Sequence, residues 1–159
     1  MKPETDWQTM REHLTAWWNG EGLVCTIPAP VSEAREGDEK PQAPDDLRTA
    51  WLDPQWRVRR ERYRQDHTHF GGDAFPVFDT MIGPGSLGTF LGAEPMLEPG
   101  TVWYRPCIED PDNAPPIRFD PVDNRWLDHH LALVDAALQH CDGSYLVGMP
   151  DLIENLDTL

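Results

Sequence analysis

Apolar positions at Trp7, Met10, Leu14 and Trp17 follow the three-and-four spacing that stacks side chains on one face of a helix. Thr5 with Gln8 three residues on matches a capping box, and Asn19-Gly20 supplies a stop, so the pattern predicts a helix over about residues 6–19. GLVCTI at 22–27 abandons that period, is β-branched in part and ends at Pro28, which predicts a buried strand. From Pro30 to Asp46 the chain reads PVSEAREGDEKPQAPDD, with almost nothing to bury, and is expected to be a flexible acidic loop. Asp53-Pro54 then offers an N-cap with proline in the first turn. Trp56, Tyr63, His67 and Phe70 follow on one predicted helical face, which Gly71-Gly72 terminates.

A second strand is expected from about Asp73 to Phe78, followed by a glycine-rich run. TVWYRP and IRF within residues 101–120 suggest a hairpin around a Pro-rich turn. Asp123 or Asn124 caps a third predicted helix whose Leu127, Leu131, Val134 and Leu138 recur at i, i+4, i+7 and i+11, and which stops near Asp142-Gly143. SYLVGMP at 144–150 reads as a third strand, and DLIENLDTL opens a fourth helix. Strands alternating with helices imply right-handed β/α units around a parallel sheet, with chemistry at the carboxyl ends of the strands. Those ends are Ile27-Pro28, Phe78-Asp79 and Met149-Pro150-Asp151.

The composition fits one domain: 159 residues, 39% hydrophobic, with seven tryptophans to fill a core. Twenty-eight acidic against thirteen basic residues give a formal charge of −15. Such a charge repels nucleic-acid phosphates and anionic lipid, so small molecules or proteins are the expected partners. Cys25, Cys107 and Cys141 are odd in number and form no C-x-x-C pair, which fits a reducing cytoplasm rather than a disulfide framework. The first residues lack the apolar core of a signal peptide, and no apolar run approaches the roughly 18 residues of a membrane span.

Within this frame Asp79 stands out as a single carboxylate directly after Val77-Phe78. At a strand end it can accept hydrogen bonds from a ligand or act as a base; its bland duty is to cap the turn. Gly83, Gly85 and Gly88 match G-x-G-x-x-G in spacing, but Pro84 lies inside the run and neither a clear helix nor a later ribose-binding acid follows, so turn and packing roles are favoured over a phosphate cradle. Asp151 and Glu154 flank the predicted fourth helix, where acids favour the positive end of the dipole. His67 with His69, and His129 with His130, lack the i, i+4 spacing of zinc helices, so no metal is assigned within the chain. Cys25, inside a predicted strand, reads as a small buried hydrophobe. Arg57, Arg59, Arg60, Arg62 and Arg64 encircle their helix rather than line it and are interleaved with Glu61 and Asp66, which predicts a solvated, ion-paired face.

The segment containing Asp73-Ala74, Phe78, Asp79, Gly83-Pro84 and Ser86-Leu87-Gly88 resembles the second strand and following loop of the uroporphyrinogen decarboxylase superfamily, which also contains corrinoid-dependent methyltransferases. YLVGMPDLIENLDTL resembles that family's third strand and helix. The resemblance implies the amino-terminal portion of a TIM-type (β/α)8 barrel: about three β/α units with the Pro-rich acidic loop between them, in a single domain over residues 1–159. A complete barrel needs about 250 residues, so the chain is expected to be the amino-terminal half of a larger protein. An exposed sheet edge would then favour a homodimer or pairing with the other half.

The resemblance also implies a reaction. Asp79 would be the catalytic carboxylate, accepting hydrogen bonds from substrate pyrrole N–H groups and stabilising the cation that forms opposite it. Gly83, Ser86 and Asp151 would be substrate-binding positions, and the substrate would be a tetrapyrrole, a corrinoid or a methyl donor. No cofactor is implied within this chain, while a zinc site belongs to the other half of the methyltransferase barrel. The decarboxylase's arginine pair after the first strand has no counterpart here beyond Arg35. The other class of function is a non-catalytic binding or interaction protein retaining the fold.

Overall fold

The computed structural model describes residues 7–31 and 39–152. Thr5 of the capping box, Arg35 and the rest of 32–38, Glu154, and most of the expected fourth helix lie outside the described residues. The chain runs α1 (Trp7–Trp18), β1 (Thr26–Pro30), α2 (Leu47–Leu52), α3 (Pro54–Asp66), β2 (Thr68–Gly72), β3 (Val77–Phe78), α4 (Ser86–Phe90), β4 (Glu94–Leu97), β5 (Val102–Arg105), a 3-10 turn (Pro111–Asn113), α5 (Arg125–His140) and β6 (Leu146–Val147). Among the described residues no helix is long and apolar enough to cross a membrane.

The expected succession of parallel β/α units, and with it the barrel portion, is not what these residues form. Their strands make three separate two-stranded sheets, β1-β2, β3-β6 and β4-β5, and only β3-β6 is parallel. A closed barrel needs every strand paired on both sides, and none is. Particular residues explain the outcome. Pro28 and Pro30 have no N–H to donate, which suits β1 to a sheet edge. The predicted second helix ends at Asp66, and Thr68–Gly72 folds back as β2, antiparallel to β1 with Pro28 opposite Phe70. Most of β1 is exposed, so the expected buried strand at 22–27 is also displaced toward 26–30.

Helices α2 and α3 share one residue as a joint. Asp53 is the C-cap of α2, and its carboxylate accepts the N–H groups of Gln55 and Trp56 at the start of α3, where Pro54 needs no partner. Asn124 caps α5 by accepting the Leu127 N–H at 3.1 Å, while its amide donates to the Phe90 carbonyl at 2.8 Å and ties α4 to α5. The VWYR strand expected near 101–120 exists, but its hairpin partner is EPML, before it, rather than IRF after it.

Helix α5 buries Trp126, His130, Leu133, Ala136 and Ala137, a stripe turned by one residue from the one its leucines predict. Leu131 and Leu138 are 52% and 57% exposed. One core cluster joins Val58 of α3 to Phe78, Leu133, Ala136, Ala137 and Tyr145, and a second gathers Leu52, Ile82, Phe90 and Trp126. The loop from Asp79 to Gly85 follows Phe78 of the first cluster and contributes Ile82 to the second.

Candidate functional site

Strand β3 pairs with β6 through Val77 opposite Leu146 and Phe78 opposite Val147. The Gly148 N–H donates to the Phe78 carbonyl at 2.9 Å, and the Thr80 hydroxyl donates to the Gly148 carbonyl at 2.8 Å. Asp79-Thr80 and Gly148–Asp151 therefore leave the same, carboxyl, edge of the parallel pair. Gly148 is needed there, because a Cβ would sit 3.0 Å from the Phe78 carbonyl oxygen and 3.1 Å from Val77 Cγ1.

Asp79 is exposed at this edge. Its Oδ1 accepts the Met81 N–H at 2.8 Å, closing an Asx turn, and among the described residues Oδ2 accepts no hydrogen bond. Behind the loop lies Arg57 of α3, wholly buried. Its Nη2 donates to the Asp79 and Met81 carbonyls at 2.9 and 3.0 Å, and its Nη1 to the Trp51 carbonyl at 3.1 Å. Burial, then repulsion from Arg60, lowers the Arg57 pKa to about 10, while the Asp79 and Glu61 carboxylates push it back up. It stays charged at neutral pH.

Four residues singled out in the sequence thus divide into two pairs. Asp79 lies at the carboxyl edge of the parallel pair and Asp151 comes four residues after β6, and both are exposed. Gly83 and Ser86 face the interior instead. Gly83 has a φ of 74°, and a Cβ there would collide with the Val102 side chain and the Tyr104 hydroxyl. That hydroxyl accepts the Gly85 N–H at 2.7 Å and donates to the Ile82 carbonyl at 3.3 Å. The glycines let the loop pack against β5, which matches the turn-and-packing account of the run.

Ser86 is wholly buried at the start of α4, with its Oγ 3.0 Å from Nε2 of buried His130. His130 Nδ1 lies 3.0 Å from the Trp126 carbonyl, which can only accept, so the proton sits on Nδ1 and Nε2 accepts from the serine hydroxyl. Burial first, then the charges of Arg57 and His129, hold the imidazole below its ordinary pKa. The pair has the spacing of a nucleophile and its base, but both members are shut away from solvent.

The remaining polar clusters are structural. Glu61 is buried and paired with Arg64 at 2.8 Å and Arg60 at 3.3 Å, so part of the arginine run makes the expected ion pairs. Asp73 accepts the Cys25 N–H at 3.0 Å and lies 2.6 Å from His13 Nδ1, contacts that hold its carboxyl below the usual range. Cys25 is exposed rather than buried, and all three cysteines are free. Among the described residues no group of three or more His, Cys, Asp or Glu side chains is placed to hold a metal ion.

Arg57 and His130 are the residues the sequence pattern missed. Arg57, Glu61 and Gln65 recur at i, i+4 and i+8, and this buried polar stripe of α3 carries the sequence signature of a solvated face. No protein-family model matches the chain, and neither a curated protein nor a solved structure is similar to it.

Proposed function

We propose that the chain binds a small molecule carrying N–H donors or developing positive charge at the carboxyl edge of β3 and β6, with Asp79 as the contacting carboxylate, in a decarboxylation or methyl-transfer reaction of the uroporphyrinogen decarboxylase kind. The observation that carries this is the state of Asp79. It is an exposed carboxylate, fixed through Oδ1 by its own loop, with Oδ2 accepting no bond among the described residues. A carboxylate held in this way needs little reorganisation when positive charge forms against it. Gly83 serves the same site indirectly, by letting the loop that carries Asp79 pack against Val102 and Tyr104. Ser86 is held inside against His130, and the exposed Asp151 is the further candidate for substrate contact. Substrates in this reading are tetrapyrroles, corrinoids or simple methyl donors, and the free cysteines favour a reducing cytoplasm as its location.

Binding of uroporphyrin and of hydroxocobalamin to the full chain, followed by absorbance, tests the reading. Asp79→Asn is expected to weaken whichever probe binds by about tenfold, roughly 1.4 kcal/mol, with an unchanged circular dichroism spectrum. Equal binding by the variant, or no binding of either probe, refutes it. The exposure of Asp79 also favours a second reading, a non-catalytic binding protein with the same rim, since catalysis by a carboxylate gains most where water is excluded. Release of carbon dioxide from uroporphyrinogen, or methyl transfer to a corrinoid, separates the two.

A further inference from the structure

We propose that Arg57 is the positioning residue for Asp79, holding the backbone of residues 79–81 so that the carboxylate is presented at the rim of β3 and β6. The inference rests on the Asp79 reading above and adds to it a residue on a different element, 22 positions earlier in the chain.

A wholly buried guanidinium is costly unless its donors are met, and a carboxylate is the usual partner. Here none of the hydrogen bonds from Arg57 goes to a carboxylate. All three reach backbone carbonyls, and Nε has no partner among the described residues. A cation spent on neutral carbonyls fixes backbone geometry rather than neutralising a charge. The two carbonyls on Nη2 belong to Asp79 and Met81, and between them runs the Asx turn in which the Met81 N–H meets Asp79 Oδ1. The loop is therefore tied twice. Its carbonyls turn inward to Arg57, and its carboxylate turns outward.

The third bond, to the Trp51 carbonyl, anchors the clamp to the end of α2, and the guanidinium lies 5.9 Å from the centre of the Trp51 ring. Residues 79–81 are thus referred to the α2-α3 joint rather than to the two-residue strand alone. The planar fork matters to this arrangement. A lysine ammonium could supply the charge but not the same fixed set of donors to carbonyls two residues apart and to Trp51. The Asp79 charge in turn favours the protonated guanidinium, as coupled groups must.

Arg57→Lys in the full chain, with amide hydrogen exchange and probe titration, tests the inference. The Met81 amide is expected to exchange about tenfold faster while Ala137 in the α5 core is unchanged, and probe affinity to fall by about tenfold. In an Asp79→Asn background the Lys substitution is expected to add no further loss of affinity, because Arg57 acts through that carboxylate. Unchanged Met81 exchange, or a fully additive loss in the double variant, overturns the role of Arg57 while leaving Asp79 intact. An Asp79→Asn protein that binds as tightly as the parent overturns the function reading instead, and the ligand half of this inference with it. If Arg57 variants do not fold, the unmodified chain still decides: its Arg57 Nη proton resonances should shift on probe binding, and their indifference to a bound probe refutes the proposal.

Discussion

His130 and Arg57 are buried polar groups, and the charge of Arg57 bears on the protonation of His130. Burial and the nearby Arg57 cation both favour neutral His130, so its pKa lies below the ordinary value. The sign of the consequence is fixed. A histidine whose folded pKa is depressed binds its proton more readily when unfolded, so its contribution to stability is whole above the unfolded value of about 6.5 and is lost as pH falls toward the folded value. The melting temperature should therefore drop between pH 7 and pH 5, and His130→Gln should flatten that drop in thermal scans. His129, also lowered by burial and then by Arg48, adds to the same slope, which is why the single His130 variant is the comparison. A melting temperature independent of pH in this window would rule the account out. Asp73 works in a lower window, because the Cys25 N–H and His13 favour its charged form and that stability is lost only as the carboxyl protonates.

Elements were legible where local signals were redundant. The first helix, observed as Trp7–Trp18, had apolar spacing and a terminal Asn-Gly; the third predicted helix, observed as α5, had an Asn cap and a long amphipathic run, and both lie close to where the pattern puts them. Their rotations are another matter. Leucines 127, 131 and 138 predict one face of α5, yet the buried face carries Trp126, His130, Leu133 and two alanines. The reason is proximity: α3 packs against α5 where Ala136 and Ala137 leave room, and Ser86 satisfies the histidine that hydropathy placed outside. Chemical denaturation separates the two faces. Leu133→Ala should cost about 2–5 kcal/mol, whereas Leu131→Gln should change stability by no more than about 0.5 kcal/mol. Similar losses at both positions would mean that the helix is turned the other way.

At the scale of the molecule, the described strands form three separate pairs rather than one sheet, and this sets how stability is distributed. The β1-β2 pair is largely exposed, whereas α3, β3 and α5 hold the central cluster. Amides in β1 and β2 should exchange through local opening, well before those of Val58 or Leu133, and uniform protection throughout would contradict this. The sequence alone located the three long helices, because spacing and caps act within a few residues, but it gave no sign of the short α2 and α4 and carried its second helix into the residues that form β2. It also placed Asp79 directly after a strand, and identified the packing role of the glycines, since a lone acid after Val-Phe and a proline among glycines are local facts. Tertiary structure decided the rest. Whether a strand pairs parallel or antiparallel depends on which distant segment meets it, and Pro28 opposite Phe70 cannot be read from either alone. Likewise, nothing local distinguishes Arg57 from the four arginines that follow it. Only the tertiary fold brings two carbonyls of the loop at 79–81, together with that of Trp51, to that one guanidinium in place of water.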